Sequence, residues 1–368
     1  MGLSFLNPSS FILVLPITIA HIMQINILNE QELCLLVQLI ADAQRIVVCC
    51  HKSPDGDALG SSLAWADYLR TQHGKHVSLI VPDAFPDFLK WMPNTEKVIR
   101  FDKHPKESKE IFANADLVFC LDFNVTSRVD DMQPLLDETP AKRVMIDHHL
   151  SPDMDTALTV SHPEMSSTSE LIFRMVWQMD GFDAMTKQQA VAIYCGMMTD
   201  TGGFTYNSSR PDIYFIIGQL LTKGIDKDKI YRNVYHNYSS WAIRFRGYLM
   251  SQKLNVFEDL HTAYFAISKK DMADYHFMKG DAEGIVNEPL QIKGLKLSIS
   301  LREDDRKDDL VWVSLRSVDD FPCNKMAEEF FNGGGHLNAS GGKLFCSLNE
   351  AEQTVRQAII RYEDMLKR

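Results

Sequence analysis

The chain has 368 residues, enough for two domains with separate apolar cores, and its 45% apolar and 24% charged residues exclude both a wholly disordered chain and a membrane bundle. A formal net charge of −11 excludes a protein that coats long nucleic acid through many Lys and Arg contacts, but not one that holds a short anion through metal ions. The odd set Cys34, Cys49, Cys50, Cys120, Cys195, Cys323 and Cys346 contains no CxxC pair and reads as buried free thiols, which points to a reducing, cytoplasmic location.

Phe11 to Ala20 is apolar, but no Lys or Arg precedes it, Pro16 interrupts it and it is too short to span a bilayer. Residues 1–23 are therefore read as a non-native or disordered extension, and no membrane association is expected. Helical spacing of Leu33, Leu35, Leu36, Leu39 and Ile40 predicts a helix over 30–44 that feeds a buried strand, Arg45 to Cys50. After the polar loop His51 to Asp57 comes a helix over 58–70. Strands follow at 76–81, 116–121 and 143–146, with helical or irregular segments between them. Alternation of this kind predicts a doubly wound parallel sheet covered on both faces.

Further helices are predicted over 169–179, 187–198, 211–223 and 226–235. Periodicity weakens near His236 to Arg246, so a first domain is placed at 24–235 and a linker at 236–254. The remainder, 255–368, reads as a smaller mixed α/β domain. Its strands are expected at 262–268, 295–301, 311–316 and 343–346. Helices are expected at 323–331 and from Asn349, on one side of the sheet, with a glycine-rich turn between the first helix and the last strand.

Three of the apolar strands end in potential metal ligands. RIVVCC runs into His51, Asp55 and Asp57, DLVFCL into Asp122, and RVMI into Asp147, His148 and His149. In an open parallel sheet such groups converge at the carboxyl ends of the strands. Asp200 in TDTGG, where glycines permit a tight turn, is a fourth element. Each has an ordinary alternative taken singly: PDGD as a turn, Asp122 as an N-cap, TDTGG as a helix end. Jointly they indicate a metal centre. Carboxylate oxygens with a minority of imidazoles suit Mn²⁺, or Mg²⁺, better than structural zinc. Two such ions about 3.5–4 Å apart serve the hydrolysis of phosphate esters or anhydrides.

HKSPDGDALGS (51–61), LDFN (121–124), DHH (147–149) and TDTGG (199–203) resemble, in kind and order, the motifs of the DHH phosphoesterase superfamily. GGGHLNASGG (333–342) is similar to the signature of the associated DHHA1 domain, and the resemblance covers nearly the whole chain after Met23. Within the superfamily, length and domain pairing resemble the short bifunctional oligoribonucleases (nanoRNases) and 3′-phosphoadenosine 5′-phosphate phosphatases. The resemblance implies a DHH catalytic domain, a DHHA1 substrate-binding domain and an active site in the cleft between them. It implies His51, Asp55 and Asp122 on one metal and Asp57, Asp122, His148 and Asp200 on the other. His149 would face the scissile phosphate and Asp147 would orient the neighbouring imidazoles.

In the C-terminal run, Gly333, Gly334 and Gly335 could present backbone N–H groups to an anion, with His336 beside a terminal phosphate; a plain tight turn is the alternative. Arg316 would offer a guanidinium fork to the same phosphate or stack on a base, against an ordinary surface salt bridge. Short RNA oligonucleotides, cleaved to mononucleotides, and 3′-phosphoadenosine 5′-phosphate, cleaved to AMP and phosphate, are the implied substrates. A cyclic-dinucleotide phosphodiesterase, an exopolyphosphatase and an RNA-binding module with an inactive site are the alternatives, and a homodimer is a further expectation.

Overall fold

The computed structural model describes residues 25–278, 280–282 and 284–367, so the extension read over 1–23 lies outside them. The chain divides into two compact units that part between Val234 and Tyr235. Among the described residues no helix is long and apolar enough to cross a membrane.

The first unit runs α1 (Glu30–Asp42), β1 (Arg45–Cys50), α2 (Gly56–His73), β2 (His76–Val81), β3 (Ile99–Arg100), α3 (Pro105–Ala113), β4 (Leu117–Leu121), α4 (Gln133–Glu138), β5 (Lys142–Asp147) and β6 (Leu158–Ser161), then α5 (Thr168–Gln178), α6 (Lys187–Asp200), α7 (Pro211–Thr222) and α8 (Lys227–Tyr235). Its six strands are ordered β3-β2-β1-β4-β5-β6, and every neighbouring pair is parallel. Alternation along the strands explains the double winding. Val47, Cys49, Val118 and Cys120 point to one face and pack with Phe112 of α3 and Leu136 of α4. On the other face Ala58 of α2 meets Cys50, and Trp65 of the same helix packs edge-on against Phe119 at 5.3 Å. The order reverses between β1 and β4, and at such a switch point the carboxyl ends of two neighbouring strands leave room for a ligand.

The second unit contains α9 (Ser240–Tyr248), β7 (Asn255–Phe257), β8 (Thr262–Ile267), α10 (Lys269–Asp274), β9 (Leu297–Glu303), β10 (Val311–Ser317), α11 (Cys323–Phe330), β11 (Gly334–His336), β12 (Ala339–Leu344), α12 (Leu348–Arg361) and α13 (Glu363–Leu366). Its sheet runs β11-β12-β10-β9-β8-β7, antiparallel except for the parallel pair β8 and β9. Tyr264, Ile299, Val313 and Leu315 pack under Met326 of α11 and Val355 of α12.

Two differences from the expectations have physical causes. The stretch read as a linker carries α9, capped by the Ser239 hydroxyl. Phe245 and Leu249, four residues apart, seal the opposite sheet face over Phe265 and Ile267, so helices cover both sides of part of this sheet. The strand expected at 343–346 begins instead at Ala339, because the glycine run pairs as a hairpin.

Candidate metal centre

Cys50 and Leu121 are register partners at the carboxyl ends of β1 and β4, so the residues that follow them, His51 and Asp122, emerge side by side at the switch point. Leu121 also pairs with Ile146, one residue before Asp147, and the Asp122 N–H donates to the Ile146 carbonyl at 3.0 Å. Asp122 holds φ at 65°, a left-handed conformation unusual for a residue with a side chain. It is not the N-cap that its sequence setting also allowed.

Within the first unit three groups of donor atoms, each within 4.8 Å of one another, result: His51, Asp55 and Asp122; Asp57, His148 and Asp200; Asp122, Asp147 and His149. His51 Nε2 lies 3.4 Å from Asp122 Oδ2 and 3.8 Å from Asp55 Oδ2. His148 Nε2 lies 3.5 Å from Asp122 Oδ1, 3.5 Å from Asp200 and 3.9 Å from Asp57 Oδ2. The other nitrogen of each ring is engaged: His51 Nδ1 with the Lys52 carbonyl at 2.8 Å, His148 Nδ1 with the Met165 carbonyl at 3.3 Å. Such contacts fix the tautomer that turns a bare Nε2 toward the site. Asp147 is fully buried and accepts from the His149 N–H at 3.1 Å, while its other oxygen lies 2.7 Å from His149 Nδ1.

Asp55, read in sequence as part of a turn or as a metal ligand, is also the N-cap of a helix. Its Oδ1 caps α2 by accepting from the Asp57 and Ala58 N–H groups at 3.0 Å each, which leaves Oδ2 for His51. Asp200 is the last residue of α6, and the tight turn after it closes through the Gly203 N–H on the Met198 carbonyl at 2.7 Å.

Burial, with Asp122 and Asp200 close by, pushes the Asp57 carboxyl well above the usual carboxylate range. Burial alone would push His148 down, but the Asp200, Asp122 and Asp57 carboxylates override it and hold the imidazole well above its ordinary value. Burial likewise opposes ionisation of Asp122, and the His148, His51 and His149 rings outweigh it. These are carboxylates crowded out of water, with imidazoles beside them. A hard divalent cation fits that donor set and that charge.

Several contributors had no place in the motif reading. Ser167 caps α5, and the N–H groups of Thr168 and Ser169 and the Thr168 hydroxyl point into the cluster. The run SSTSE, with Ser167 three residues before Glu170, carries a helix-start signature that could have marked them. Gly196 of α6 was also passed over. A Cβ there would lie 1.9 Å from the Ser169 hydroxyl and 2.9 Å from Asp57, so only glycine lets these elements meet.

In the second unit, Arg316 stands on β10 opposite Ser298 and Ala339 and donates to the Leu315 carbonyl at 2.9 Å. Gly334, Gly335 and His336 form β11 against 339–341. Gly333 closes α11, its N–H donating to the Ala327 carbonyl at 3.2 Å, and a Cβ on it would lie 1.9 Å from the Gly341 carbonyl oxygen. Close backbone approach and capping account for that glycine, and its N–H is not open to an anion.

Comparison with known proteins agrees with this architecture. Residues 45–197 match the DHH family, N-terminal domain, and residues 263–362 match the DHHA1 domain. The chain belongs to the DHH family of phosphoesterases. It is 25% identical over 320 residues to the bifunctional oligoribonuclease and PAP phosphatase NrnA of Bacillus subtilis, covering 86% of this chain and 95% of that protein. It is 25% identical over 344 residues to the cyclic-di-AMP phosphodiesterase GdpP of Geobacillus thermodenitrificans, covering 89% of this chain and 49% of that one. Among solved structures, an exopolyphosphatase-related protein from Bacteroides fragilis is 46% identical with a TM-score of 0.88, covering 92% of this chain and 98% of that one. RecJ of Thermus thermophilus shares the fold at 11% identity and a TM-score of 0.53, covering 93% of this chain and 56% of that one.

Proposed function

We propose that this chain is a two-metal phosphoesterase that hydrolyses short oligoribonucleotides to mononucleotides and 3′-phosphoadenosine 5′-phosphate to AMP and phosphate. The observation that carries the metal-dependent chemistry is the convergence of His51, Asp55, Asp57, Asp122, His148 and Asp200 at the switch point of the parallel sheet. The substrate reading is supported by the likeness to NrnA, which runs through nearly all of that protein and includes both domains. The likeness to the cyclic-di-AMP phosphodiesterase takes in only about half of that chain.

In this reading His51, Asp55 and Asp122 hold one cation and Asp57, Asp122, His148 and Asp200 the other, with Mn²⁺ preferred and Mg²⁺ the alternative. When bound, the pair supplies Lewis acidity and positive charge for transfer of a phosphoryl group to water. Asp122 presents one oxygen to each side. His149, held through Nδ1 by Asp147, would face the scissile phosphate. Arg316 and His336 take the distal phosphate of the substrate, Gly334 and Gly335 offering backbone beside them and Gly333 shaping the turn.

The test is Mn²⁺-dependent hydrolysis of an RNA series from dinucleotide to pentanucleotide and of 3′-phosphoadenosine 5′-phosphate, with Asp122→Ala as control. Turnover of both by the wild type and of neither by the variant is the expected result. Turnover of a cyclic dinucleotide or polyphosphate alone would overturn the substrate assignment and leave the phosphoesterase chemistry standing.

A further inference from the structure

We propose that the N-terminus of α5 is a positioning device for the metal centre, in which Thr168 and Ser169 orient the Asp57 and Asp122 carboxylates toward their cations. The inference rests on the metal reading given above and concerns how the protein keeps crowded ligands in register.

Thr168 touches both carboxylates. Its N–H donates to Asp57 Oδ2 at 2.6 Å and its hydroxyl donates to Asp122 Oδ1 at 2.9 Å, while the Ser169 N–H donates to Asp57 Oδ1 at 2.8 Å. All four residues are buried, Thr168 and Ser169 completely, so no water competes for these bonds. Each carboxylate oxygen has two lone-pair sites, and one donor on each Asp57 oxygen leaves one site per oxygen for a cation. On Asp122 the Thr168 hydroxyl bond helps to set the rotation of the carboxylate. Its Oδ1 then faces His148 Nε2 at 3.5 Å and its Oδ2 faces His51 Nε2 at 3.4 Å, the orientation a bridging ligand requires.

A second observation supports a built arrangement. Ser169 is fully buried, and its hydroxyl lies where a Cβ on Gly196 would fall. The helix start is thus pressed against α6 so that its main-chain donors reach Asp57.

Thr168 is therefore a positioning residue rather than a ligand, and its loss acts on metal affinity. Mn²⁺ binding to the purified full chain is measured by calorimetry and by electron paramagnetic resonance for wild type, Thr168→Val and Thr168→Ser. Orienting partners of this kind are worth about 10–100-fold in metal affinity. Thr168→Val, which keeps the N–H and drops the hydroxyl, is expected to lose that much, and Thr168→Ser to regain it. Thr168→Ala is the second variant should valine overfill the niche, and it carries the same expectation. If wild type binds Mn²⁺ and the hydroxyl-free variants bind it equally well, the positioning role is overturned and the metal centre stands. If wild type itself binds none, the metal reading fails, visibly in the wild type alone.

Discussion

Two clusters of buried charge meet on α5, and they are balanced in different ways. Glu170, fully buried, accepts from Arg174 Nε at 2.9 Å, from Arg210 at 2.7 Å and from the Ser166 N–H and hydroxyl at 2.8 and 2.6 Å. Asp212 pairs with both Arg174 and Arg210, so two carboxylates meet two guanidinium groups and the network closes on itself. Just before Glu170, Thr168 and Ser169 bond Asp57 and Asp122, which belong to a cluster with Asp55, Asp147 and Asp200 where His51, His148 and His149 supply the imidazoles. The first cluster is scaffold: through Ser166 it holds the neighbouring Met165 carbonyl against His148. The second is left with excess negative charge, which is the condition a bound cation relieves.

The comparison breaks most visibly at Asp122. Asp122→Ala is expected to lower hydrolysis on the order of 10³-fold, about 4 kcal/mol of transition-state stabilisation, with the circular dichroism spectrum unchanged. Turnover within tenfold of wild type would show that the unbalanced cluster is not the reaction centre. The self-balanced cluster should respond in stability instead. Arg174→Ala leaves Glu170 and Asp212 short of a partner and should cost about 3–5 kcal/mol in urea unfolding, whether or not Mn²⁺ is present.

Metal removal sharpens the contrast from the other side. Saturating Mn²⁺ at about 100 times its dissociation constant should add about 2.7 kcal/mol to the wild type, and a chelator should remove it. In Asp122→Ala the increment should shrink, whereas in Arg174→Ala it should persist.

Asp271 of the second unit supplies a smaller test of the balanced case. Burial raises its carboxyl, but the Ser268 hydroxyl, the Lys253 ammonium, the Ser268 N–H and the Tyr248 hydroxyl outweigh it and pull it to about 2 from an ordinary 3.8. A depressed carboxylate contributes stability that is complete above its unfolded value and is lost as pH falls from about 4 toward 2. The loss should reach at most about 2 kcal/mol, and Asp271→Asn should flatten that part of the stability profile.

Much of this was legible in the sequence because strand ends and ligands coincide. Arg45–Cys50 and His76–Val81 read as strands from their β-branched, apolar runs, β1 and β4 lead straight into His51 and Asp122, and β5 ends on Asp147. The two-residue β3 and the four-residue β6 are too short for period to register. Thr168 and Ser169 escaped because small hydroxyl residues carry no periodic signal, and their partner Asp57 is more than a hundred residues away. α9 hid because only Ala242 and Phe245 within it are buried. The glycine run misled in a different way: three adjacent glycines suggest an open backbone, yet Gly333 is there because β12 passes too close for a side chain.

The most direct test of the central claim is anomalous diffraction at the manganese edge from crystals soaked in Mn²⁺. The account predicts two peaks per chain, one among His51, Asp55 and Asp122 and one among Asp57, Asp122, His148 and Asp200, with Asp122 touching both. Peaks elsewhere, or none in wild-type crystals that diffract well, would contradict it.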